Sequence, residues 1–383
     1  MKDFDMYITE IFLKDYRNIF ELRLDLSDGI NIFLGRNAQG KTNILEAIYF
    51  SSVLRARTSR IQELVRRGGA QAFVKINFSR ADVSQDLSLE IPAEKRSRKL
   101  FLNGSMARSK EFIGRLNSVM FSPEDLFMLK SAPLKRRQFL DGEISQASPS
   151  YYEMLTTYNR IVYQRNRLLK QIRERSARRV NLEMWNEQLA RYATQILLYR
   201  LIAVDRLNEV AQEIHKKISA RNEKLLIEYK LNKVALDIPT DNLRSDAFKK
   251  DLFFWYKKNL HARIENDIAR GTTSFGPHLD DLNFFVDEME LKTYGSQGQL
   301  RTAALSLKLS ELELLRTAAG EYPVLLLDDV MSELDAARRE QLLTFLKLKK
   351  IQTIITATER KYFPEQNFGR IFFVNAGKVF LME

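Results

Sequence analysis

The stretch Ile30-Asn31-Ile32-Phe33-Leu34-Gly35-Arg36-Asn37-Ala38-Gln39-Gly40-Lys41-Thr42-Asn43 decides the fold. Ile30–Leu34 is an apolar run of strand length. From Lys41 to about Leu54 the chain is helix-competent, with Ile44, Leu45, Ile48 and Val53 to one side. Between them, Gly35 to Thr42 fits the pattern G-x-x-x-x-G-K-[ST]. Glycine admits positive φ and close backbone approach, so successive N–H groups can wrap a phosphate. Lys41 would reach the β- and γ-phosphates of ATP, and the Thr42 hydroxyl would take Mg²⁺. The helix that starts there turns the positive end of its dipole toward the same anion. Gly35, Arg36, Asn37, Ala38, Gln39, Gly40, Lys41, Thr42 and the following Asn43 are therefore the candidate ATP-binding residues.

A second half of such a site stands at the other end of the sequence. Val324-Leu325-Leu326-Leu327-Asp328-Asp329 reads as a buried strand ending in two carboxylates, the Walker B arrangement. Asp328 would hold Mg²⁺, directly or through water, and Asp329 would orient and polarise the attacking water, with Lys41 as its catalytic counterpart. An apolar run ending in Asp-Asp says little alone, but paired with a P-loop it defines a nucleotide site.

Composition bounds the remaining possibilities. The 383 residues exceed one ordinary core, so two lobes, or one domain with a large insertion, are expected. Lys and Arg outnumber Asp and Glu by 61 to 49, a net charge of +12 that favours a polyanionic partner. Cysteine is absent, which excludes disulfides, Cys-ligated zinc and iron–sulfur clusters. His215, His261 and His278 lie too far apart in sequence to suggest a metal site. Met1 to Tyr7 lacks a signal-peptide core, and no apolar run approaches the about 20 residues of a membrane span. The chain reads as soluble and cytoplasmic, without a membrane partner.

Outside the motifs, strands are expected at Ile8–Leu13 and Glu21–Leu26, β-structure over 72–104, a buried strand at Val119–Phe121 and a helix opened by Pro123. Ser150 to Ile238 contains neither proline nor glycine, and Trp185, Leu189, Tyr192, Ile196, Ala203, Leu207, Val210 and Ile214 form a heptad-like seam. A polar break at Ser176–Asn181 divides this stretch into two long helices, the first of them strongly basic. Further on, Leu282–Val286 and Glu290–Thr293 read as a hairpin. A helix follows from about Gly298 to Ala319 and another near Ala336–Leu348, with strands at Gln352–Thr356 and Ile371–Asn375. The expected layout is α/β, with residues 1–148 as the first part of a P-loop NTPase head, 149–238 as an inserted helical lobe, and 239–383 as the second part of the head.

Tyr294-Gly295-Ser296-Gln297-Gly298-Gln299, before the long helix, resembles the signature motif of ABC-type ATPases. The resemblance implies that Ser296, Gln297, Gly298 and Gln299 complete the nucleotide site of a second subunit. Ser332-Glu333-Leu334-Asp335 resembles the D-loop of the same superfamily, with Ser332 and Asp335 as its candidates. A helical hairpin inserted between P-loop and signature resembles the SMC-like ATPases, yet it is far too short for the extended coiled coils of SMC proteins.

Most of the chain resembles the RecF family of bacterial recombination and gap-repair ATPases. The blocks that carry this are Leu13 to Asn18, Asn43 to Ile48, Phe121 to Leu126, Arg136 to Asp141, Gly276-Pro277-His278 and the run from signature to D-loop. The resemblance implies an ATP-driven homodimer that binds DNA, both duplex and single-strand/double-strand junctions, and hydrolyses ATP slowly. It also implies work with RecR and RecO to load RecA at gaps. Three departures stand out: no glutamine-loop equivalent at Phe121-Ser122, Leu279 where a basic residue is expected, and Thr356 and Thr358 in place of a switch histidine.

DNA backbone binding needs cations on one surface rather than a motif. The candidates are Arg55, Arg57, Arg60, Arg66, Arg67, Lys135, Arg136 and Arg137, together with the basic helix from Arg160 to Arg179. Arg136 and Arg137 have a structural alternative, as partners of Glu124, Asp125 or Asp141. Two other functions are weighed: an ATPase that powers a membrane partner, which the inserted helical hairpin and the net positive charge speak against, and a scaffold that uses ATP only to dimerise.

Overall fold

The computed structural model describes residues 6–56, 60–94, 97–219, 223–232, 234–236, 242–363 and 368–382. In chain order, β1 (Tyr7–Tyr16), β2 (Ile19–Asp25) and β3 (Ile30–Leu34) lead through the P-loop into α1 (Lys41–Val53). Next come β4 (Gln71–Arg80), β5 (Val83–Pro92), β6 (Lys99–Leu102), β7 (Ser105–Met106), the short α2 (Ser109–Phe112) and β8 (Ser118–Phe121). The middle holds α3 (Pro123–Met128), α4 (Pro133–Ala147), α5 (Pro149–Arg173), α6 (Leu182–Ile218), β9 (Leu225–Lys230), α7 (Asp246–Ala262) and α8 (Ile264–Arg270). Then follow β10 (Asp281–Val286), β11 (Met289–Glu290), α9 (Leu291–Tyr294), α10 (Gln297–Ala319), β12 (Val324–Asp328), α11 (Val330–Glu333) and α12 (Ala336–Lys349). The last strands are β13 (Thr353–Ala357), β14 (Arg370–Asn375) and β15 (Lys378–Met382).

The chain forms two compact units: residues 1–127, 213–222 and 300–383 make unit 1, and 128–212 with 223–299 make unit 2. The expected boundaries at 148 and 238 both fall inside unit 2. Packing explains the first difference, because α4 lies against α5 and β10. Pairing explains the second, because β9 and β10, on either side of residue 238, form an antiparallel ladder from Asp281–Lys230 to Val286–Leu225. The strand β9 was not expected in a stretch without proline or glycine.

Unit 1 holds two sheets. In one, the order β15-β14-β3-β13-β12-β8 is parallel except for β15. Every residue of β3, β12, β13 and β8 is buried, as fits strands covered on both faces. The other sheet, β2-β1-β4-β5-β6-β7, is antiparallel and alternates inward and outward residues. Gln352, 2% exposed, joins the two. Its Oε1 accepts from the Ile8 N–H at 2.7 Å, and its Nε2 donates to the carbonyls of Ile8 and Ser27, both at 2.7 Å.

In unit 2, α5 and α6 are the two long helices expected on either side of the 176–181 break. Only part of the predicted seam is buried: Leu189, Ile196 and Leu207 are, whereas Trp185, Tyr192, Ala203, Val210 and Ile214 are half-buried. Leu182 of α6 packs with Leu168, Leu169 and Ile172 of α5 and Ile268 of α8. The core is therefore shared with α8, and a two-helix heptad interface does not describe it. The second arm of the expected 282–293 hairpin is shorter than predicted, since β11 stops at Glu290 and residues 291–294 form α9. No helix among the described residues is long and apolar enough to cross a membrane.

Candidate nucleotide site

Three strands of the parallel sheet bring the site together. β3 ends at the P-loop, β12 ends at Asp328, and β13 lies between them and ends beside Thr356. The Thr42 hydroxyl donates to Asp328 Oδ1 at 2.9 Å across 286 residues of sequence. Thr356 Oγ1 donates to the same oxygen at 2.8 Å and accepts from the Asp329 N–H at 2.9 Å. Lys41, 6% exposed, donates from Nζ to the carbonyls of Gly35 at 2.6 Å and Arg36 at 2.9 Å. Burial lowers its pKa, against the pull of Asp329 and Asp328.

These groups surround a cavity of about 430 Å³, lined by Asn18, Asn37 through Asn43, Asp328, Asp329 and Thr356. Of the predicted loop residues, Gly35 and Arg36 do not line it, and instead hold Lys41 through their carbonyls. The backbone N–H groups of Arg36 through Thr42 donate to no acceptor among the described residues. Such a row of unmet donors next to a lysine is an anion cradle. Asp329 adds an unmet acceptor: its Oδ1 is buried without a hydrogen-bond partner. The residue sits in the left-handed region at φ 53°, a strained conformation for aspartate at a functional position. Burial raises its pKa; Lys41 opposes that shift, and Asp328 and Glu333 add to it.

The loop is braced by residues that sequence reasoning missed. Gly40 has φ 108°, and a Cβ there would sit 2.8 Å from Asn18 Oδ1. Asn18 Nδ2 donates to the Gln39 carbonyl at 3.3 Å, and its Oδ1 accepts from Asn43 Nδ2 at 2.8 Å. Gln39 is also tied to the β14–β15 turn. Its Oε1 accepts from the Ala376 N–H at 2.7 Å and its carbonyl from the Gly377 N–H at 2.9 Å. Below the loop, Arg17 forms a two-bond pair with buried Glu46 of α1, both at 2.9 Å. Arg17 and Asn18 belong to the Leu13–Asn18 block noted for its resemblance, but nothing in that block announces a contact with the P-loop.

The D-loop candidates also lie in unit 1. Ser332 Oγ donates to the Asp329 carbonyl at 2.8 Å. Asp335 caps α12 by accepting from the Arg338 N–H at 2.9 Å and pairs with the Arg338 guanidinium. At the 121–122 strand end, Ser122 donates from N and Oγ to Asp125 Oδ2, both at 2.8 Å. In unit 2, Ser296 and Gln299 form a reciprocal cap on α10. The Gln299 N–H reaches Ser296 Oγ at 3.2 Å, and the Ser296 N–H reaches Gln299 Oε1 at 3.1 Å. Gln297 begins α10, and a Cβ on Gly298 would meet only Ser296 Oγ, at 4.0 Å.

The basic candidates stand in different surroundings. Arg136 is 1% exposed and forms a two-bond pair with Asp281 at 2.7 and 2.8 Å, so it is a structural residue and not a DNA contact. Its partner is none of the three carboxylates expected. Arg137 donates to the Asp280 carbonyl at 2.5 Å. Arg66 is held by Asp15 at 2.6 Å and lies over the Phe20 ring at 5.1 Å. Arg55, Arg60, Arg67 and Lys135 are exposed, and Arg57 lies outside the described residues. Within the basic helix, Arg165 is fully buried on Asp267 at 2.8 Å.

A P-loop and a Walker B strand on either side of β13 in one parallel sheet define an ABC-type ATPase head of the SMC-like class. Residues 7–378 match the family model of the RecF/RecN/SMC N-terminal domain. The fold is shared with the Smc head domain of Pyrococcus furiosus, at TM-score 0.54 and 17% identity over 98% of this chain and 96% of that one. Within this class the chain belongs to the RecF family. It is 38% identical to the DNA replication and repair protein RecF of Alkaliphilus oremlandii, over 98% of this chain and all of the relative. The same protein of Staphylococcus carnosus is also 38% identical, with the same coverage. A solved structure of the recombination mediator protein RecF-ATPrS in the RecFOR pathway covers both chains fully at TM-score 0.89 and 33% identity.

Proposed function

We propose that this chain binds Mg-ATP in the P-loop cavity, dimerises on it, grips DNA in that state and hydrolyses ATP slowly during recombinational and replication-gap repair. The observation that carries the reading is the row of unmet N–H donors from Arg36 to Thr42 beside Lys41 and the Thr42–Asp328 pair. It supplies donors for phosphate oxygens and two hard oxygen ligands for a divalent cation. The solved RecF structures described with ATPrS and with ATP support the same ligand.

Thr42 and Asp328 would hold Mg²⁺, which would supply positive charge to offset that of the phosphates. Lys41 would exchange its bonds to the Gly35 and Arg36 carbonyls for phosphate oxygens. Asp329 Oδ1, buried and unpartnered, would orient the attacking water and accept its proton. Ser296 to Gln299, at the start of α10, would meet the γ-phosphate held by a second copy of the chain. Ser332 and Asp335 of the D-loop would line the same dimer contact. RecR and RecO would then act on the DNA-bound dimer to promote RecA loading.

The test is DNA binding by wild type and Lys41→Ala, with and without Mg-ATP, with mass followed by light scattering. Wild type should dimerise and bind duplex and gapped DNA only with ATP, and Lys41→Ala should do neither. Equal binding by both as monomers would overturn the nucleotide-gated reading.

A further inference from the structure

Unit 2 treats its cations in two ways. Arg136, Arg165, Arg179 and Arg200 each carry a carboxylate partner, at 2.7, 2.8, 2.5 and 2.9 Å. Arg160, Arg167 and Lys170 of α5 are exposed and have no ion-pair partner among the described residues. At 100° per residue these three fall on one face, with exposed Tyr163 between them. The opposite face buries Tyr158, Ile161, Arg165, Leu168, Leu169 and Ile172. At the far end of the stripe the exposed Arg173 donates to the Arg270 carbonyl at 3.5 Å, which brings two more cations without a carboxylate partner beside it. The exposed acidic residues Glu153 and Glu174 fall on the same face, one beyond each end of the Arg160–Lys170 stripe.

Uncompensated cations in a row repel one another, and an arrangement of this kind is matched by a polyanion. From Arg160 to Arg173 the helix runs about 20 Å, a length along which one DNA strand sets roughly six phosphates. We infer that the outer face of α5 is a track for the phosphate backbone of duplex DNA. The inference rests on the DNA-binding reading above and assigns its surface. It moves the contact away from Arg66, Arg136 and Arg137, whose guanidiniums are engaged elsewhere. A contact of this kind positions the protein without reading sequence.

The test is the full chain with Arg160→Gln, Arg167→Gln and Lys170→Gln combined, measured with Mg-ATP on a short blunt duplex over a range of salt. Each lost phosphate contact should lower the slope of log affinity against log salt by about 0.9. The expected result is a slope smaller by about 2 to 3 and affinity at low salt reduced about tenfold or more. A second variant, Arg160→Lys with Arg167→Lys, should keep the wild-type slope, because a phosphate contact needs charge and not a fork of donors. Thermal unfolding and scattering mass of each variant separate a lost contact from a lost fold or dimer. A triple variant that matches wild type in slope and affinity would sink the track while leaving ATP-gated DNA binding intact. Wild type that fails to bind duplex with ATP removes the DNA reading and the track together. Loss of binding to anionic phospholipid vesicles, with DNA binding unchanged, would reassign the face to a membrane surface.

Discussion

The P-loop cavity of unit 1 and the Arg200 cluster of unit 2 use similar side chains and finish them differently. Arg200, 2% exposed, donates to both oxygens of Asp141 at 2.9 and 3.0 Å, to the Pro277 carbonyl at 2.6 Å and to Tyr229 at 3.1 Å. Tyr151 donates to the same Asp141, and Tyr229 donates to Asp280. In the cavity, by contrast, a run of backbone donors and the Asp329 Oδ1 acceptor are left unmet. Buried polar groups are costly to leave unpaired, so a cluster that satisfies them internally serves the fold. A cluster that leaves them facing an open volume is arranged for something that arrives later.

If that contrast holds, variants in the two regions should fail in different assays. Arg200→Ala removes one partner of a buried ion pair and should cost about 3–5 kcal/mol of unfolding free energy. Denaturant titration measures this, and nucleotide affinity of the folded fraction should stay at the wild-type value. An Arg200→Ala protein of unchanged stability but lost nucleotide binding would break the comparison.

His278 sharpens it through pH. Burial pushes its pKa from the ordinary 6.5 down to about 4, and its Nδ1 lies 2.6 Å from the Tyr158 hydroxyl. Between pH 6.5 and about 4 the unfolded chain therefore binds a proton that the native state refuses. Stability should fall with pH across that window, by up to about 3 kcal/mol at its lower end. His278→Gln should flatten most of this slope in melts taken at successive pH values.

The smallest expected effect lies in the cavity. Asp329→Asn keeps the shape and removes the proposed proton acceptor, so on that proposal turnover should fall about 100-fold, close to 3 kcal/mol in barrier. Stability should hold or rise slightly, since a strained, desolvated carboxylate is gone. In wild type the acid limb of the rate profile should sit above the usual aspartate range, because burial raises this carboxyl. That limb should vanish in the variant.

Much of the site was legible because close approach of backbone to phosphate demands particular residues in a contiguous run. Gly40 at φ 108° and Lys41 folding back on Gly35 are products of that local demand. The braces were not legible. Gln39 is held by the N–H groups of Ala376 and Gly377, and a backbone N–H has no residue signature. Thr356 could be read only as a departure from a histidine, whereas the structure gives it hydrogen bonds with both Walker B residues. The arginines show the same limit. Arg136 could be read as a DNA cation or as the partner of a carboxylate near it in sequence, but Asp281, its actual partner, stands 145 residues away. β9 escaped notice for a different reason. Its six residues bury only Leu225 and Ile227, too brief an alternation to stand out in a segment otherwise helical.

The sequence span of the Thr42–Asp328 bond also has a consequence for synthesis. A ribosome adds roughly 5–20 residues each second, so the 286 residues between those partners take about 15–60 s to appear. Gln39 then waits longer, for Ala376 and Gly377. Throughout that interval the newborn P-loop has neither Walker B nor its hairpin brace. A growing chain therefore lacks the Thr42–Asp328 contact until Asp328 has been made, and the full brace on Gln39 until Gly377 has followed.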